Sequence, residues 1–212
     1  MVTSSFPAPR RASRTRLILI LTLLAALGLW FIDQSVLRYA HFDSGSYGDF
    51  WPRRYGLLLH IAGGLTALSV GIAQIWLGLT GRTRQLHRTL GRVYASGVLI
   101  GSAGAYYLAL TIAPTLKVYA VGLFLLATAW VLTTGMAVLS IARRAHEQHR
   151  EWMLRSYTVT FAFVTFRLLS PLIAKWHLAT PDEADAIMAW GCWSVPLLLA
   201  EPLLQLRRMR TH

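Results

Sequence analysis

The sequence predicts an all-α membrane protein: a polytopic bundle of six transmembrane helices with both chain termini on the inner side. Of its 212 residues, 55% are hydrophobic and only 14% are charged, fewer than in a typical soluble domain. The chain carries six apolar runs, each close to the ~20 residues that cross a bilayer. A backbone in hydrocarbon must satisfy its own hydrogen bonds, so single runs of this length are expected to become helices.

The first apolar run follows a basic polar tail. The tail covers residues 1–16, and the apolar segment extends from Leu17 to Ile32. A basic start before an apolar stretch also suits a secretory signal peptide, but the residues at 30–32 are large where a cleavage site has small ones. We therefore expect an uncleaved signal-anchor helix. The polar segment from Asp33 to Arg54 is expected on the outer side.

The second run, Tyr55 to Leu79, is long enough for a complete span. Positions three, four and seven residues apart return to the same side of a helix. One face of this helix therefore collects His60, Gly64, Ala67, Gly71 and Gln74. Small residues on such a face allow another helix to approach closely. His60 and Gln74 are therefore expected to point into the protein.

Four further runs complete the bundle. They are predicted at Val93–Ala113, Val118–Ala142, Ser156–Ala174 and Ala186–Leu206. The connections between them are predicted at 81–92, 114–117, 143–155 and 175–185, and the chain closes with a basic end at 207–212. We expect one transmembrane domain over residues 17–206 with a core at 55–174.

The distribution of basic residues predicts the orientation. Fifteen of the 21 lysines and arginines fall on the proposed inner side, and six of the nine acidic residues fall outside. Such a bias over short loops sets the orientation of membrane helices. A net charge of +12 would suggest nucleic-acid binding on a soluble surface, but here the arginines cluster at the ends of alternate apolar runs. We expect lipid contact and no nucleic acid.

Two matching segments indicate an internal repeat. The first extends from His87-Arg88 to Tyr94, and the second from His149-Arg150 to Tyr157. Both open with His-Arg and close with Arg-x-Tyr, and each lies between two long apolar runs. The four central helices therefore form a candidate duplicated hairpin.

The repeated histidines suggest a cofactor site at the inner end of the bundle. Two imidazoles on facing helices suit the bis-histidine ligation of a b-type haem, with Gly91 leaving room for the ring. Arginines bind propionates by charge-assisted hydrogen bonds. The candidate cofactor-binding residues are His87, His149, Arg88, Arg150, Tyr94 and Arg155. The alternative is that these residues cap helices or contact lipid phosphate. No dedicated metal site and no catalytic residue is predicted.

A second polar group lies deeper in the apolar runs. His60, Gln74 and Arg167 form a candidate buried polar site, with His60 and Arg167 at similar depth below the outer surface. A membrane-buried arginine costs several kcal/mol unless it is paired or hydrated, so it marks a functional site by default. An anionic ligand, a propionate, a quinone carbonyl or backbone carbonyls could serve as its partner. Alternatively, Arg167 snorkels outward and only holds helices together. Glu201 is expected to be solvated or to pair with an arginine of an inner loop.

These polar residues resemble a known family. His60, Gln74, the His87-Arg88 segment, the His149-Arg150 segment and Arg167 are similar to bacterial multi-pass membrane proteins that share domain of unknown function 2306. The resemblance covers about Tyr55 to Leu169 and implies a bacterial inner-membrane protein. A looser likeness to b561-type haem cytochromes also exists. Those cytochromes place their histidines within helices in pairs at two depths, whereas His60 has no histidine partner in the outer half.

Three functional hypotheses follow. The first is a redox or cofactor-binding membrane protein that uses the two histidines at the inner end. The second is a non-catalytic accessory or assembly subunit that docks to lipid, to a membrane-protein partner or to another copy of itself. The third is a small-solute or proton carrier that uses His60, Gln74 and Arg167. The sequence lacks the motifs of ATPases, zinc proteases and α/β-hydrolases.

Overall fold

The computed structural model describes residues 11–81, 83–113 and 116–209, and these residues form helices and short connections without strands. The long helices are α1 (Arg11–Phe31), α3 (Arg54–Thr80), α4 (Arg84–Ile112), α5 (Lys117–Ala142), α6 (His146–Thr160), α7 (Ala162–Lys175) and α8 (Pro181–Met209). A π-helical turn (Ile32–Val36), the short helix α2 (Ser44–Tyr47) and two 3-10 helices (Leu37–Ala40 and Gly48–Arg53) connect α1 to α3.

The all-helical fold and the six predicted spans are confirmed. Within the described residues, six helical segments are long and apolar enough to cross a membrane. They are Thr15–Ala40, Ser44–Thr80, Arg84–Ile112, Lys117–Ala142, His146–Lys175 and Pro181–Leu206. The fifth segment combines α6 and α7, which are joined at Phe161. An even number of spans places the two ends of the described chain on the same side of the bilayer.

The connections at the basic end are shorter than the sequence predicted. We define the basic end as the end of the bundle where α3 and α5 end and where α4 and α6 begin. Gly81 (φ 65°), Thr83 (φ 53°) and Arg144 (φ 60°) adopt left-handed backbone conformations, which reverse the chain within a few residues. Most of the predicted loops at 81–92 and 143–155 is therefore helix. The predicted basic tail up to residue 10, position 82 of the predicted first connection, positions 114–115 and residues 210–212 lie outside the described residues.

The four central spans form a ring. Helix α3 packs most extensively on α4, α4 packs on α5, α5 on α6, and α6 returns to α3. Helices α4 and α6 therefore face each other diagonally across the ring. Helix α1 lies against α3 and α7, and α8 lies against α5, α6 and α7. The first and last spans thus flank the central four.

Glycines bring α3 and α4 into backbone contact. A Cβ atom added at Gly63 would lie 2.2 Å from the nitrogen of Gly101 and 2.4 Å from the carbonyl oxygen of Gly97. Gly64, which the sequence placed on the packing face, has open space at its Cβ position. Adjacent helical residues point about 100° apart, so α3 and α4 come closest at Gly63 and not at its neighbour Gly64. Further along α3, Gly71 makes room for the ring of Tyr157.

We expect Gly63→Ala to lower the free energy of unfolding by at least 1–3 kcal/mol, because a methyl group there overlaps backbone atoms that cannot move aside. Gly64→Ala is the matched control on the same helix turn, and it should leave stability within about 0.5 kcal/mol of wild type. Reversible unfolding in mixed micelles measures both values. Equal stability of the two variants would contradict the packing described here.

Candidate functional site

The structure brings the two histidines of the repeat together at the basic end. His87 lies in the first turn of α4, and His149 lies in the first turn of α6. These helices face each other diagonally, and the two imidazoles are close enough to interact electrostatically. Both side chains are partly buried. The predicted pair therefore lies at one end of the ring, in the first turns of two helices and not in two separate loops.

The hydrogen bond of His149 leaves one ring nitrogen available. Its Nδ1 lies 2.9 Å from the main-chain carbonyl oxygen of Ala137 on α5. A carbonyl oxygen can only accept, so Nδ1 carries the hydrogen and donates. In the neutral ring, Nε2 then holds a lone pair. This is the tautomer that metal-bound histidines use, with the second nitrogen fixed by a carbonyl.

His87 has an unsatisfied nitrogen. Its Nδ1 is buried, and no atom of the described chain forms a hydrogen bond with it. The ring packs against α3, where a Cβ atom added at Gly78 would lie 3.4 Å from Cε1 of His87. The main-chain carbonyl of His87 accepts a 2.8 Å hydrogen bond from Nε2 of Gln74. The amide of Gln74 therefore attaches the first turn of α4 to α3.

Tyr94 belongs to a buried hydroxyl network and not to an open site. Its hydroxyl lies 2.7 Å from both Ser156 Oγ and Thr160 Oγ1 on α6. Trp130 Nε1 donates to Thr160 Oγ1 at 2.8 Å, and Thr134 Oγ1 lies 2.7 Å from Ser156 Oγ.

One directional assignment satisfies every hydroxyl of this network. Thr134 donates to Ser156, Ser156 to Tyr94, Tyr94 to Thr160, and Thr160 to the main-chain carbonyl of Ser156 at 2.9 Å. The network ties α4, α5 and α6 together. It lies ~10 Å along α4 from His87, because seven residues separate Tyr94 from that histidine.

The predicted arginines have different environments. Arg88 and Arg150 are exposed beside the two histidines. Arg155 is bound by Glu201 of α8, with 2.6 Å and 3.2 Å separating Nη2 and Nε from the same carboxylate oxygen. Glu151 lies 3.8 Å from the same guanidinium, and the ring of Trp152 is 4.8 Å away. Arg155 therefore joins α6 to α8, and the predicted pairing of Glu201 with an arginine of the basic end is present.

The second predicted group does not converge. Nδ1 of His60 lies 3.0 Å from the carbonyl oxygen of Gly101, and its ring contacts Phe163 with centroids 5.2 Å apart. Arg167 lies over Phe166, 5.9 Å from the ring centre, and its side chain is exposed. Gln74 is ~21 Å along α3 from His60, at the basic end. His60 and Gln74 each bond to a backbone carbonyl of α4, so they connect the two helices of the first hairpin.

Sequence reasoning missed Asp185. The sequence predicts an outer connection at 175–185, but α8 begins at Pro181 and places Asp185 in its second turn, against α7. Ser170 Oγ donates to Asp185 Oδ1 at 2.5 Å. The signal was present in Pro181 followed by two acidic residues, the composition of a helix start. Among the residues described, no three His, Cys, Asp or Glu side chains are grouped in a way that could hold a metal ion.

Together these features define a class: a multi-pass membrane protein with a histidine pair at one end of a four-helix ring. The sequence profile of a family described as "Predicted membrane protein (DUF2306)" matches residues 57–204, which is more than half of the chain. The chain belongs to this family. The match includes most of α3, the whole of α4 to α7 and most of α8. Neither the curated proteins nor the solved structures contain a match to the chain.

We expect Tyr94→Phe to lower the free energy of unfolding by about 0.5–2 kcal/mol, because it removes the hydroxyl that joins Ser156 to Thr160. Tyr55→Phe is the control, since Tyr55 is 63% exposed. Unfolding in mixed micelles measures the difference. A change no larger than that of Tyr55→Phe would contradict a structural role for the network.

Proposed function

We propose that the protein binds a redox cofactor, haem b, between His87 and His149 at the basic end of the bundle. The proposal includes a location in the bacterial inner membrane with the basic end in the cytoplasm. The charge bias of the sequence supports placing the basic end in the cytoplasm, and the family match supports a membrane location. The proposal rests on one observation: two imidazoles stand in the first turns of diagonal helices, within range of each other's electrostatic field, and each has a nitrogen without a hydrogen-bond partner.

The diagonal arrangement suits a planar cofactor. Ligands on facing helices of a four-helix bundle present their nitrogens from opposite sides of a central space. The Nδ1 bond of His149 to the Ala137 carbonyl would orient its ring, as a second hydrogen bond does for metal-bound histidines. Such a bond also raises the basicity of the ligating nitrogen. His87 has no equivalent bond, so its ring is held by packing against Gly78.

Charge around the pair supports an anionic cofactor. Arg88 and Arg150 follow the two histidines directly and are exposed, so their guanidinium groups are available to propionates. Arg155 already pairs with the carboxylate of Glu201, so it is a weaker candidate for binding a propionate. Bound haem would supply one-electron transfer, and the protein would supply its ligands, its orientation and the apolar surroundings that tune its potential.

The accessory-subunit and carrier hypotheses stay predictions. Each of the three functional hypotheses is compatible with binding of lipid, of a membrane-protein partner or of a second copy of the chain. In the described structure, His60 and Gln74 bond to backbone carbonyls at the contact between α3 and α4. This arrangement favours a packing role for these two residues over a transport path.

The absorption spectrum of the purified full-length protein tests the proposal. We expect a b-type spectrum, with its reduced α-band lost or reduced at least tenfold in His87→Ala and in His149→Ala, because bis-histidine ligation needs both nitrogens. His146→Ala is the matched control, since His146 is exposed and lies one helical turn before His149. This variant should keep the band.

A colourless protein that is folded, and that takes up no haem when haem is added in detergent, would end the proposal. A band that survives in both histidine variants would place the cofactor elsewhere. Thermal unfolding of the cofactor-free variants separates loss of ligation from loss of fold. A variant that loses the haem band but unfolds at the same temperature as cofactor-free wild type has lost ligation alone.

A further inference from the structure

A cavity with a largely apolar wall and three polar side chains lies at the end of the bundle opposite to the histidine pair. It has a volume of about 220 Å³, is partly open to the surroundings, and is lined by the outer half of α7 and the first turns of α8. Its lining includes Phe166, Arg167, Ser170, Pro171, Ala174 and Asp185. The cavity therefore contains a guanidinium, a carboxylate and a hydroxyl inside two segments that span the membrane.

The guanidinium of Arg167 lacks a hydrogen-bond acceptor. No atom of the described chain accepts a hydrogen bond from it, and the guanidinium lies 5.9 Å from the ring centre of Phe166. A guanidinium has five N–H donors and stays charged in a membrane. Charged groups within spans are paired or hydrated, and they mark ligand pathways by default. Arg167 is thus prepared for an anionic group that the chain itself does not provide.

Asp185 provides a second charge of opposite sign. One carboxylate oxygen, Oδ1, accepts the hydrogen bond of Ser170, and no described group donates to Oδ2. Arg167 and Asp185 line the same cavity and both interact electrostatically with Tyr119, but they form no ion pair with each other in the described structure. Both charges therefore border the same cavity of about 220 Å³, and neither neutralises the other by an ion pair.

We propose that this cavity binds a small zwitterion. The anionic group of the ligand binds the guanidinium of Arg167, and its ammonium group donates a hydrogen bond to Oδ2 of Asp185. The short carbon chain between the two groups lies against Phe166, Pro171 and Ala174. A purely anionic ligand is disfavoured because Asp185 would repel it, and a purely cationic one because Arg167 would. Two sources carry this chemistry: the headgroup of phosphatidylethanolamine and a soluble amino acid or phosphoethanolamine.

The first experiment tests the lipid source. The full-length protein is reconstituted in phosphatidylcholine nanodiscs with equal fractions of phosphatidylethanolamine and phosphatidylglycerol, and its retained lipids are counted by native mass spectrometry. We expect wild type to retain phosphatidylethanolamine about tenfold over phosphatidylglycerol, the difference that one charge-assisted hydrogen bond provides. Asp185→Asn should abolish this preference. Arg167→Gln should lose retention of both lipids, and Arg167→Lys should restore part of it.

The second experiment tests the soluble source. The same variants in a neutral detergent are titrated calorimetrically with glycine and with glycerophosphoethanolamine. Binding that requires both Arg167 and Asp185 would assign the site to a free zwitterion. Lys175→Gln serves as control in both experiments, because Lys175 is an exposed cation at the end of the same helix and outside the cavity. It should behave as wild type.

The proposal is overturned if wild type shows neither the lipid preference nor binding of a soluble zwitterion. It is also overturned if either signal survives unchanged in Arg167→Gln or Asp185→Asn while the variants keep their unfolding temperature. Neither result depends on the histidine pair, because the cavity and the histidines lie at opposite ends of the bundle. Loss of the haem spectrum in His149→Ala should leave lipid retention unchanged.

Discussion

Hydrocarbon offers no hydrogen-bond partner, and this constraint organises the whole structure. Many hydroxyl groups in the spans bond to a carbonyl one turn earlier, as Thr66 does to Ala62 at 2.8 Å and Ser140 to Met136 at 2.7 Å. Others bond to each other, as in the network around Tyr94. Polar groups without such partners then become informative. His87 Nδ1 and the guanidinium of Arg167 are two of them, and each belongs to a place where we propose a ligand.

The duplicated pattern has a structural counterpart. Each histidine packs on the preceding helix of its own hairpin: His87 against Gly78 of α3, and His149 against the Ala137 carbonyl of α5. Each repeat tyrosine crosses into the other hairpin. Tyr94 reaches α6, and the hydroxyl of Tyr157 donates to the carbonyl of Leu68 on α3 at 3.1 Å. The histidines thus organise each hairpin, and the tyrosines join the two hairpins. This division explains why both residues recur in the two segments.

Short turns place the two histidines on helices at one end of the bundle. Left-handed residues at the basic end allow α4 and α6 to begin within a few residues of the preceding helices. A histidine in the first turn of such a helix lies between its neighbours and not in water. The next residue of each helix, Arg88 or Arg150, lies at the surface beside the pair. At the opposite end, the early start of α8 carries Asp185 to the depth of Ser170 and opposite α7.

The sequence by itself determined the number of spans, their helical state and the repeated histidine segments. Hydropathy and charge bias are properties of position along the chain, so they need no knowledge of neighbours. Tertiary structure alone decided which faces meet. It selected Gly63 over Gly64 and paired Arg155 with Glu201, 46 residues away. It also placed Asp185 in a cavity with Arg167. A helical residue turns ~100° from its neighbour, so contacts depend on the rotation and packing of whole helices, which no local pattern encodes.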